Sequence, residues 1–148
     1  MTRHKRWNVA AWTAMGITFF LLGLLLWWSI QPLTPILKIP NNELAVVNPN
    51  NEVKAGENLL LHYYVCKRGD GAANVTRYLK DSQIITLSDL NSKFPEGCNT
   101  YTVPVMIPTN TPTDNYTFYA QITYKVSPIK TVTYEVHTKE FKIIGKIL

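Results

Sequence analysis

The sequence predicts an all-β domain carried behind one N-terminal transmembrane helix. Three observations lead there. An unbroken apolar run extends from Val9 to Ile30, after the first third of the chain apolar and polar residues alternate in short runs, and clusters of Asn, Asp, Gly and Pro end each run before it reaches helical length.

The run from Val9 to Ile30 holds 22 residues without Asp, Glu, Lys, Arg, His or Pro. As a helix it is about 33 Å long, enough to cross the hydrocarbon core of a bilayer. A soluble core helix of that length needs a polar face, and none can be drawn. Trp7 and Trp12 stand near one end and Trp27 and Trp28 at the other, where amphipathic rings favour the two membrane interfaces. Ala10, Ala14, Gly16 and Gly23 are small residues of the kind that lets helices approach and dimerise.

Orientation follows from charge. Arg3, Lys5 and Arg6 precede the run and Lys38 is the nearest positive residue after it, so the N-terminus is expected in the cytoplasm and the rest exported. A cleaved signal peptide has the same order of charge and apolar block, but its apolar core is shorter. Trp27-Trp28-Ser29-Ile30-Gln31 also offers no small-x-small cleavage site. The expected organisation is a basic tail over 1–8, a transmembrane helix over 9–30, a stalk over 31–42 stiffened by Pro32, Pro35 and Pro40, and an exported domain over 43–148. Of the net charge of +5, three positive residues belong to the tail; the other 12 Lys and Arg face 10 Asp and Glu. That balance gives no basic stripe for nucleic acid.

Within the exported domain the runs read as strands. Glu43 to Val47 is the first, closed by Asn48-Pro49-Asn50-Asn51. Asn58 to Cys66 sets Leu59, Leu61, Tyr63 and Val65 on one face, and Lys67 to Ala73 is the loop that follows. Val75 to Leu79, Gln83 to Leu87 and Thr100 to Ile107 come next. Tyr116 to Val126 alternates most regularly, with Tyr116, Phe118, Ala120, Ile122 and Tyr124 together, which predicts a half-buried central strand. The last strand begins near Lys130. Phe141 and Ile143 are out of phase with Val132, Tyr134 and Val136, so an irregularity is expected near Thr138 to Glu140. About seven short strands without an intervening helix predict an antiparallel β-sandwich of immunoglobulin type, with a small barrel as the alternative.

Asp114-Asn115-Tyr116-Thr117-Phe118 resembles the Asp-x-Tyr-x-Cys stretch that opens strand F of immunoglobulin domains. The resemblance gives Asp114 and Tyr116 the tyrosine-corner role and puts Phe118 where that family has its second Cys. Cys66 and Cys98 are the two cysteines, and in an exported domain they are expected to pair. In the sandwich, strands B and E are antiparallel neighbours, which brings the end of the second strand to the start of the fifth. A redox site needs Cys-x-x-Cys and a structural zinc site needs four ligands; neither is present.

Chemistry finds little foothold in the pattern. His62 and His137 stand apart on the polar faces of their strands, no Ser lies in a Gly-x-Ser-x-Gly elbow, and no Gly-rich phosphate loop occurs. The expectations are therefore no catalytic residues, no metal, no cofactor and no enzyme activity. Arg68-Gly69-Asp70 matches the integrin-binding tripeptide but is also what a tight turn looks like.

The whole plan resembles small single-pass membrane proteins of bacteria and their tailed phages that carry one immunoglobulin-like ectodomain. The resemblance rests on the anchor, Val65-Cys66-Lys67, Pro95-Glu96-Gly97-Cys98, Ile107-Pro108 and Tyr116-Thr117-Phe118. It implies an inner-membrane protein with its C-terminal domain in the periplasm or outside the cell. The expected partners are the bilayer and another envelope or phage protein, with a homo-oligomer through the helix as a further arrangement. The expected function is a binding module working through protein contacts; a structural subunit of a membrane or virion assembly is the alternative.

Overall fold

The computed structural model describes residues 3–30, 36–69 and 71–145, with the side chains of 3–8 and 10 excepted. Among these, one helix is followed by eleven strands. The helix, α1, runs Arg3–Ile30, starting earlier than Val9 because Arg and Lys are themselves good helix formers. Ala11–Ile30 is long and apolar enough to cross a membrane, and none of it is buried against the rest of the chain. Trp12, Phe19, Phe20, Leu26 and Trp27 all stand exposed. A helix apolar all round and covered by no protein surface must be covered by something else, as a membrane span or a signal sequence is.

The strands are β1 (Leu37–Lys38), β2 (Glu43–Val46), β3 (Glu52–Lys54), β4 (Asn58–Lys67), β5 (Ala73–Lys80), β6 (Ile84–Thr86), β7 (Leu90–Ser92), β8 (Gly97–Met106), β9 (Asp114–Ser127), β10 (Lys130–Thr138) and β11 (Phe141–Ile144). The longest ladders are antiparallel: β4 with β8, β9 with β10, and β5 with β9. The expectation of a purely antiparallel sheet needs correction, because β2 pairs parallel with β10 and β3 parallel with β11. The chain enters the domain beside β4, with β1 and β2 antiparallel to it, and its last strands run in the same direction as its first. Where those first and last strands meet, pairing is necessarily parallel.

The segment read as a stalk is partly sheet. Residues 31–35 lie outside the described residues, but Leu37 pairs with Lys67 and Lys38 with Cys66, and the side chains of Leu37 and Ile39 are buried. Two Pro-Asn-Asn turns, at 40–42 and 49–51, then separate β1, β2 and β3. Both Asn of each turn take positive φ, which Asn tolerates better than other residues with a Cβ.

β9 is central, as its alternation predicts. Tyr116, Phe118, Ala120, Ile122 and Tyr124 are all buried, and β9 pairs on its two sides with β5 and with β10 and β11. The expected irregularity lies at residues 139–140, which separate β10 from β11. Val136 and Thr138 face the interior before it, Phe141 and Ile143 after it. Buried Thr138 has its own use, since its Oγ1 accepts the Phe118 N–H at 3.0 Å. Side chains from β4 and β8 and from β5, β9 and β10 enclose one core.

Candidate functional site

At one end of the β4–β8 ladder Cys66 lies directly opposite Cys98, and the two form a disulfide with Cα atoms 4.0 Å apart. The next pair is Lys67 with Gly97. Lys67 is only 4% exposed, an unusual place for an ammonium group. Its Nζ donates to the carbonyls of Gly71 at 2.6 Å and Phe94 at 2.7 Å, and stands 5.8 Å from the centre of the Tyr124 ring. One lysine thereby ties the loop after β4 to the segment before β8.

That tie fixes Phe94 in an aromatic group with Tyr63 and Tyr101, the ring centres 5.1 to 6.4 Å apart. Burial, with the neighbouring phenols of Tyr101 and Tyr124, pushes the Tyr63 phenol up to about 12 from an ordinary 10.0. A phenol whose folded pKa is raised stabilises the fold fully below pH 10, and the effect is lost as pH climbs towards 12. Tyr63→Phe should therefore abolish the latest-ionising phenol in an alkaline absorbance titration and make unfolding less steep between pH 10 and 12. An unchanged titration would remove Tyr63 from this position.

Two of these rings, Tyr63 and Phe94, line an apolar cleft. Its volume is about 130 Å³, and it reaches into the core between the ladders: Val103 and Val105 of β8, Val75 of β5 and Leu90 of β7 line it together with the buried Leu61, Val65 and Phe118. Arg77 lines it too, and its guanidinium is engaged: Nε and Nη2 donate to the Ser88 carbonyl at 3.0 and 2.6 Å, and Nη2 to Ser88 Oγ at 3.1 Å. The fork fastens the connection between β6 and β7 to β5.

Beside the cleft runs the edge of β8, which pairs with β4 and with no other described strand. The direction of its backbone groups follows from Leu60. The Leu60 N–H donates to Asn48 Oδ1 at 2.7 Å and its carbonyl accepts Val47 N–H at 3.0 Å, so both groups point away from β8. Pro104, opposite Leu60, is then in a pair without mutual hydrogen bonds and turns its own backbone outward. By the same alternation Thr100 and Thr102 offer outward N–H and C=O groups. Proline has no N–H, so the edge is open near Thr100 and Thr102 and blunted at Pro104.

The residues singled out in the sequence are scattered. Asp114 and Tyr116 sit at the opposite end of the domain from the disulfide. Tyr116 is 2% exposed and its hydroxyl donates to the Pro112 carbonyl at 3.4 Å, four residues upstream. Its phenol is raised above the ordinary value by burial, with the carboxylates of Asp81 and Asp114 adding to the effect. Asp114 Oδ1 accepts the Asn115 N–H at 2.8 Å. Trp12, Trp27 and Trp28 lie along α1; Arg3, Lys5, Arg6 and Trp7 belong to the same helix, with side chains outside the described residues. Asp70 of the Arg-Gly-Asp turn is likewise outside them. His62 Nδ1 lies 2.9 Å from Thr102 Oγ1, and no group of three His, Cys, Asp or Glu able to hold a metal occurs among the described residues. Lys67, Arg77 and the β8 edge were not readable as site residues, because a buried lysine looks like any loop lysine until its carbonyl partners are known.

No protein-family model matches the chain, and no curated protein is similar to it in sequence. Among solved structures it is similar to a mutant beta-glucosidase from Listeria innocua in complex with laminaribiose and to the beta-glucosidase in complex with glucose. Each is 14% identical with a TM-score of 0.39, over 76% of this chain and 16% of the enzyme's. The same enzyme in complex with isofagomine matches over 69% of this chain at a TM-score of 0.36. The chain thus spans about a sixth of the length of the structures it matches. The expectation that the chain is not an enzyme is withdrawn on this finding, since the matched structures are enzymes. A likeness this distant assigns no activity in its place.

Proposed function

We propose that the chain is a membrane-anchored binding module that takes an extended segment of another envelope or phage protein along the outer edge of β8. The observation that carries this reading is the coincidence of two features: a strand edge with unpaired backbone groups at Thr100 and Thr102, and an apolar cleft directly beside it. Backbone pairing supplies affinity and the cleft supplies selection among side chains, the division of labour in recognition by strand addition. The domain that carries the edge is an immunoglobulin-like sandwich on this reading. The run of pairings β8–β4–β2 and β7–β5–β9–β10, joined into one sheet by the parallel β2–β10 pair, supports it, as does the Tyr116 hydroxyl bonded back to Pro112. α1 is long and apolar enough to span a bilayer; its retention as an anchor is supported by the lack of a small-x-small cleavage site in Trp27-Trp28-Ser29-Ile30-Gln31, and a cytoplasmic N-terminus by Arg3, Lys5 and Arg6.

The test is photo-crosslinking in intact membranes from a residue replacing Thr102, compared with one replacing Thr133 on the outer face of β10. Crosslinks to one defined protein should form from position 102 alone. Thr100→Pro removes an outward N–H without touching the β4–β8 ladder, so it should leave the circular dichroism unchanged and abolish that crosslink. Equal crosslinking from both positions, or persistence in Thr100→Pro, would refute strand addition at β8.

A further inference from the structure

Several strand ends gather at one end of the domain. β4 ends at Lys67 opposite Gly97, the start of β8; β5 begins at Ala73 opposite Ser92 and Tyr124; β9 ends at Ser127 opposite Lys130. Arg68, Gly69, Gly71 and Ala72, the segment over 93–96 and the turn at Pro128 and Ile129 therefore share that end. α1 arrives at the same place. Lys130 Nζ donates to the Ser29 carbonyl at 3.0 Å, one of the last-turn carbonyls that have no partner inside a helix. Close by, Ile36 N–H donates to the Tyr134 hydroxyl at 2.9 Å, so the chain rejoins the sheet next to the helix end.

Charge and apolar exposure coincide there. Lys38, Arg68, Lys93 and Lys125 are exposed at this end and Lys130 is half-buried; the acidic Glu96 is exposed there as well. The opposite end mixes Lys54 and Lys80 with Glu57, Asp81 and Asp114. At the tip of the β9–β10 turn Ile129 is 54% exposed, with Lys125 and Lys130 on either side. A large aliphatic side chain framed by lysines at the height of the helix terminus matches the interface of an anionic bilayer, apolar beneath and phosphate-rich above.

We infer that this end of the domain docks on the phosphates of anionic lipids, with Ile129 entering the interface and Lys125 and Lys130 flanking the headgroups. The inference rests on α1 being a membrane anchor, as proposed above. Docking gives the module a second membrane contact and a defined orientation that presents the β8 edge sideways.

The full chain, reconstituted in nanodiscs of phosphatidylcholine with or without phosphatidylglycerol, provides the test. An environment-sensitive dye is attached at Ile129→Cys or, at the far end, at Asn110→Cys, and quenching by brominated lipid is read. Position 129 should be quenched several-fold more than position 110 in discs containing phosphatidylglycerol. The difference should shrink in phosphatidylcholine, at raised salt, and in Lys125→Gln/Lys130→Gln. Equal quenching at the two positions, or immersion indifferent to phosphatidylglycerol, would overturn the inference. The anchor is read separately in the same samples, because all four Trp residues lie within 7–28. Their fluorescence should be quenched by brominated lipid in every disc. Unquenched Trp would overturn the anchor itself, whereas quenched Trp with an unquenched dye at 129 would overturn the docking alone.

Discussion

Replacing Cys66 and Cys98 together by Ser should lower the unfolding free energy by about 3 to 4 kcal/mol, the chain-entropy value for a loop of this length. The two residues are 32 apart in sequence, and the loop they close contains β5, β6 and β7. Without the bond the unfolded chain regains the freedom of that whole segment, while the native ladder keeps its hydrogen bonds. The last pairs of β4 and β8 should also fray, since Lys67 opposite Gly97 is the terminal pair. Loosening Lys67 loosens its hold on the Gly71 and Phe94 carbonyls, so the aromatic end of the cleft should open with it. Denaturant unfolding of the full chain in detergent, followed by far-ultraviolet circular dichroism, measures the change. Tryptophan emission cannot follow this transition because every Trp is in or beside the helix. A midpoint unaltered in the double Ser variant would mean that the ladder alone holds that end.

Phe118→Ala should cost about 3 to 5 kcal/mol, the range for truncating a large aromatic side chain in a core. Phe118 is 1% exposed, in the middle of β9, and contributes to the floor of the cleft. Removing its ring extends a space of about 130 Å³ that already lies over it, and the surrounding strands, pinned on both sides of β9, have little freedom to collapse. Phe118→Leu, which keeps most of the volume, should cost markedly less. The same unfolding experiment reads both variants, and equal losses would show that the site relaxes around the change. Total stabilities of single domains lie near 5 to 15 kcal/mol, so Phe118→Ala combined with loss of the disulfide should leave the domain unfolded at body temperature.

The parts of the fold that were legible in the sequence are those decided by local pattern. The alternation from Tyr116 to Tyr124 places β9, and the phase slip between Val136 and Phe141 marks the break between β10 and β11. The two cysteines could be paired because two cysteines in an exported domain are expected to bond, and the expected neighbouring of the second and fifth strands agreed with that. What was not legible depends on distant partners. Leu37-Lys38 is too short a strand to stand out between Pro35 and Pro40, and it is fixed by Lys67 and Cys66 far along the chain. The parallel pairings of β2 and β3 join the first strands to the last, a relation that no window of sequence contains. The cleft is equally invisible, being the space between two ladders rather than a property of either.

The proline at position 104 has a consequence for self-association. Every copy of the chain carries the same β8 edge, and two such edges meeting side by side are the usual seed of an open-ended stack. Because Pro104 removes the outward donor between those of Thr102 and Met106, the uninterrupted footing for a pairing strand is only a few residues around Thr100 and Thr102. That footing is long enough to hold a guest segment supported by the cleft, and too short for two flat edges to zip together unaided. The same residue that limits the edge therefore sets the length of what the edge can select.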